Sequence, residues 1–75
     1  MKYLVIEIQN NADGTTGILT NTYEDKNAAL AKYHTVLAAA AVSSVLVHSC
    51  AILTREGASI QNESFVHPAP AVEEE

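Results

Sequence analysis

The sequence predicts a small α+β domain: two strands, one helix and two more strands, with the helix laid across one face of a four-stranded antiparallel sheet. Three observations predict it. Residues 27–42, NAALAKYHTVLAAAAV, contain no Gly or Pro and are the only stretch with sustained helical character. The flanking segments carry the period-two alternation of strands. Turn residues, Asp13-Gly14 and Arg55-Glu56-Gly57, punctuate them.

The first strand is expected at residues 2–9, KYLVIEIQ, with Leu4, Ile6 and Ile8 on one face and Tyr3, Val5 and Glu7 on the other. Asp13-Gly14 tolerates the left-handed backbone of a short hairpin. Residues 18–23 alternate weakly, and Thr20 and Thr22 suit an edge strand. Asp25 is the expected helix cap, its carboxylate accepting from first-turn amides; Thr22 with Asp25 three residues on is a second possible start. Leu30, Tyr33, Leu37 and Ala41, joined by Val36 and Ala40, recur at spacings of three and four and form a stripe wide enough for a sheet. Ser43-Ser44 ends the helix without a glycine cap. Residues 45–54 form a strand apolar on both faces, with Val45, Val47, Ala51 and Leu53 on one side and Leu46, Cys50 and Ile52 on the other. Residues 58–66 return as the fourth strand, with Ile60 and Val66 assigned to one face.

The simplest sheet order is 2-1-3-4, which puts the two most apolar strands in the middle. A helix of about 17 residues spans about 25 Å, enough to cross the first strand. One helix shields one face only. The other face is expected to carry Tyr3, Val5, Val47 and Ala51, more apolar area than a monomer this small exposes, and a homodimer would bury it.

Seventy-five residues make one domain near the lower size limit for a single core, expected over residues 1–67, with 68–75 a flexible acidic tail containing prolines. Chains of this size add disulfides, metals or partners. Cys50 is the only cysteine, so no internal disulfide forms. Three of the nine acids are Glu73, Glu74 and Glu75, leaving six acids against four bases in the body. The bases Lys2, Lys26, Lys32 and Arg55 are scattered, which argues against nucleic acid as a partner. Residues 36–53 carry no formal charge, but Ser43, Ser44, His48, Ser49 and several alanines make them a poor membrane span, and no secretory signal is visible. The expected location is the cytoplasm.

Chemistry-bearing patterns are sparse. His48 and Cys50 share a strand face, a spacing that suits a soft metal, yet further ligands are limited to His34 and His67. A polar interface position for His48 and a core thiol for Cys50 explain both residues. No serine sits in a nucleophile elbow, and no glycine loop cradles phosphate. The expectation is a non-enzymatic chain without cofactor or metal.

At KYLVIEIQ, AKYHTVLAAAAVSS, VHS and LTREG the chain resembles small uncharacterised proteins of tailed phages and prophages of gut-dwelling Firmicutes, over roughly residues 1–67. The resemblance implies a viral or mobile-element setting. With the bare sheet face, it makes the leading expectation a homo-oligomeric accessory protein, a virion or assembly component acting through protein–protein contacts. The alternative is an anti-defence inhibitor or small-ligand sponge, holding a host protein or nucleotide at an oligomer seam around Tyr33, His34 and His48.

Overall fold

The computed structural model describes residues 1–67; the tail expected at 68–75 lies outside the described residues. Strands β1 (Tyr3–Asn10) and β2 (Thr16–Tyr23) precede helix α1 (Lys26–Ala41), and β3 (Val47–Thr54) and β4 (Ser59–Val66) follow it. The sheet runs β2-β1-β3-β4 and is antiparallel throughout, as the apolar ranking of the strands predicts.

The two hairpins use the same turn. The Gly14 amide donates to the Asn11 carbonyl at 3.0 Å, and the Gly57 amide donates to the Thr54 carbonyl at 2.9 Å. Both glycines adopt φ near +90°, a conformation that side-chain-bearing residues rarely take. Asp13 tightens the first turn by accepting from the Thr15 amide and hydroxyl at 2.9 and 2.7 Å.

Asp25 is the N-cap, its carboxylate accepting from the Ala28 amide at 3.1 Å. Asp25→Ala is expected to cost about 0.5–2 kcal/mol, read as a lower melting temperature, because no other side chain satisfies that first-turn donor. At the other end the His67 ring donates through Nε2 to the Ala40 carbonyl at 2.9 Å, while the His67 amide donates to the Leu46 carbonyl at 2.7 Å. A carbonyl only accepts, so the proton sits on Nε2. This histidine closes a helix terminus that lacks a glycine cap.

The core lies between α1 and one face of the central strands: Val5, Cys50 and Ile52 below, Ala29, Tyr33 and Val36 above. Ala29 and Ala40 are fully buried, so the helix backbone can approach the sheet closely. The helical stripe is rotated from the expected one, with Leu30 and Leu37 half-buried at its margins and Ala41 exposed.

Three further expectations are corrected. Strand β3 begins two residues later than expected, at Val47. Ile60 and Val66 do not share a face: a bulge opposite Ile52/Leu53 turns Ile60 toward the core, while Val66 pairs with Val47 on the far side. The largest correction concerns β1. Tyr3 and Val5 lie under the helix, and Val5 is only 1% exposed. The face left open carries Leu4, Ile6 and Ile8. Val47 and Ala51 do lie on that open face, so the four residues expected to form one surface are divided between two.

Candidate functional site: the open sheet face and the polar pair beneath the helix

Side chains alternate along a strand, and cross-strand partners point the same way, so the pairing register defines both faces. On the open face, Leu4 stands beside Leu53, Ile6 beside Ala51 and Ile8 beside Ser49, with Val47 next in line. Strand β2 extends this surface with Thr22, Thr20, Ile18 and Thr16. Strand β4 extends it with Asn62, Ser64 and Val66. None of these side chains is ionisable. Although the whole chain has a formal charge of −5, this face is neutral, apolar along β1 and β3 and hydroxyl- or amide-bearing at its edges.

The face is not flat. Small residues at Ser49, Ala51 and Ser64 leave a shallow hollow of about 230 Å³, walled by Ile6 and Ile8 on one side and Asn62 on the other. Ile18 stands proud on β2, 62% exposed.

The helix side holds the chain's buried polar chemistry. The register places Glu7 beside Cys50 and Gln9 beside His48. One Glu7 carboxylate oxygen accepts from Gln9 Nε2 at 2.9 Å and from His48 Nε2 at 2.5 Å. His48 is 4% exposed, and its Nδ1 has no hydrogen-bond partner. The Glu7 carboxylate only accepts, so His48 donates through Nε2 while its Nδ1 is left without a partner.

Burial alone would raise the Glu7 pKa. The hydrogen bonds from Gln9 and His48, then the electrostatic attraction of the His48 ring and last that of Lys32, outweigh it and hold the carboxyl below its ordinary value of 4.5. A depressed folded-state value means stability that is present above pH 4.5 and is lost as acid drives the pH through the folded pKa. Glu7→Gln is expected to flatten that acid limb in pH-dependent thermal melts while lowering stability near neutrality. An unchanged acid limb would show that the folded state does not hold the Glu7 carboxyl below its ordinary value.

Cys50 lies between Glu7 and Glu63 in one row across the sheet. Burial, then the Glu7 charge, pushes its thiol up to about 11, so it stays protonated at neutral pH and is a poor nucleophile. Burial and the nearby Glu63 likewise raise the Tyr33 phenol. Among the described residues no group of three or more His, Cys, Asp or Glu side chains is disposed to hold a metal ion. No helix among them is long and apolar enough to cross a membrane.

The residues expected at a ligand seam are not gathered on one surface. Tyr33 and His48 are buried under the helix, while His34 is exposed and meets Tyr33 edge to face at 5.4 Å. Glu7 and Gln9 as partners of His48, and Ile6 and Ile8 as open-face residues, were not among the expected site residues. The register implied by sheet order 2-1-3-4 is the signal that links them. Comparison with protein-family models, curated proteins and solved structures returns no match.

Proposed function

We propose that this chain is a non-catalytic accessory protein of the phage type, a virion or assembly component that works through protein–protein contacts, first of all with a second copy of itself. The observation that carries this reading is the open sheet face, whose central strands present Leu4, Ile6, Ile8, Val47, Ala51 and Leu53 with no element packed over them among the described residues.

The open face carries no charge that would select a basic partner. Two chains of formal charge −5 repel one another through most of their surfaces, and an uncharged face is where they meet at least electrostatic cost. Its Ser, Thr and Asn side chains both donate and accept, so a surface of this composition complements itself.

The area is sufficient for modest affinity. Strands of eight residues cover about 27 Å, and three to four of them about 14–19 Å in width, so two stacked faces bury on the order of 800–1,000 Å². That is at the lower limit of specific interfaces, and a weak dimer of two sheets about 10 Å apart is expected. Sedimentation velocity over a concentration series tests the reading: the chain should move from monomer to dimer as concentration rises. A monomer persisting to millimolar concentration overturns it.

A further inference from the structure

Resting on that reading, we infer that the two copies meet about a two-fold axis running along β1, and that Ile18 of each copy fills the hollow over Ser49 and Ala51 of the other. The argument starts from relief. Ile18 is the large apolar side chain that rises from β2 on the open face, at 62% exposed. The hollow, about 230 Å³, is where small side chains leave the same face recessed. A protrusion and a recess on one surface are what an isologous contact requires, because each copy must supply both halves.

Their spacing then selects the axis. Ile18 pairs with Ile8, and Ile8 pairs with Ser49, so protrusion and recess share one row across the sheet. They stand two strands apart, about 10 Å, with β1 midway between them. A two-fold axis lying in the plane between the sheets and parallel to the strands exchanges positions equidistant from it and keeps each at its own level. Placed over β1, it sets Ile18 above the partner's recess, β2 above β3, and Leu4, Ile6 and Ile8 above their own counterparts. The most apolar strand of the face is then the most deeply covered.

Val66 is the competing protrusion, 70% exposed on β4. It pairs with Val47, one row beyond Ser49 and Ser64, so a parallel axis does not bring it to the level of the recess. An axis shifted toward β4 would also leave β1 uncovered. The β1 axis instead leaves β4 at the margin, where Val66 contributes little.

Two substitutions of equal chemistry separate these geometries. Ile18→Asp and Val66→Asp each place a carboxylate at an exposed strand position, and matching circular dichroism spectra and melting curves would establish that both chains fold. In sedimentation equilibrium, Ile18→Asp should raise the dimer Kd by at least about 30-fold, as loss of a central anchor does, while Val66→Asp changes it less than about threefold. Ile18→Thr, which matches its neighbours Thr16 and Thr20 and suits a strand, should also weaken the dimer and guards against a folding artefact. Equal effects at the two sites, or a larger one at Val66, overturn the β1 axis while leaving self-association standing. A wild-type chain that stays monomeric removes both.

Discussion

An Ile52→Ala chain is expected to be destabilised by about 2–5 kcal/mol, the cost of deleting a buried aliphatic side chain and leaving its space partly empty. Ile52 is fully buried, pairs with Val5 across the sheet and lies in the core cluster beneath Tyr33 and Val36. In a domain of this length each kcal/mol moves the melting temperature by about 4–8 °C, so a fall of at least about 8 °C should appear in thermal denaturation. The matched control is Ile6→Ala. Ile6 sits on the neighbouring strand with its side chain on the opposite, half-exposed face, and in dilute solution its truncation should cost well under half as much. Equal losses at the two positions would mean that both faces are buried in the isolated chain, and the division into a covered and an open side would be wrong.

Ile6→Asp should have the reverse profile: little effect on the dilute monomer and a dimer Kd higher by at least about 100-fold. Ile6 lies at the middle of the open face, between Thr20 on β2 and Ala51 on β3. In a two-fold contact every substitution occurs twice, and here the two carboxylates would face each other without cations, since none of the paired strand residues on that face is ionisable. Sedimentation equilibrium with thermal melts on the same samples separates association from folding. Unaltered association of a folded Ile6→Asp chain would exclude the open face as the site of self-association.

Element order and sheet order were legible from particular residues. The Gly- and Pro-free alanine run could only be the helix, Asp25 could cap it, and two hairpins followed from Asp13-Gly14 and Glu56-Gly57. Which face the helix covers was not legible. Leu4, Ile6 and Ile8 look more buried than Tyr3, Val5 and Glu7, and a rule that turns the more apolar side inward chooses wrongly here. What decides is the partner strand: on β3 the side opposite Val5 and Glu7 carries Ile52, Cys50 and His48, and His48 finds in Glu7 an acceptor it would lack on the open side. Such polar satisfaction is a cross-strand property and is invisible along one strand. The outcome leaves the more apolar side of β1 uncovered among the described residues, which changes the residues that a partner of the proposed kind would meet. His48 and Cys50 shared a face as their spacing requires, but beneath the helix rather than at a seam.

The single extra residue in β4 works like a change of reading frame. Upstream of it Ser59 pairs with Leu53, downstream Gln61 pairs with Ile52, and Ile60 is the unmatched residue that lets both pairings coexist. Losing or gaining one amino acid there would keep nearly every letter of the strand and turn part of it inside out, sending Ile60 outward or a polar neighbour inward. At that spot a substitution leaves the register intact, whereas a change of length between Gly57 and Phe65 breaks it.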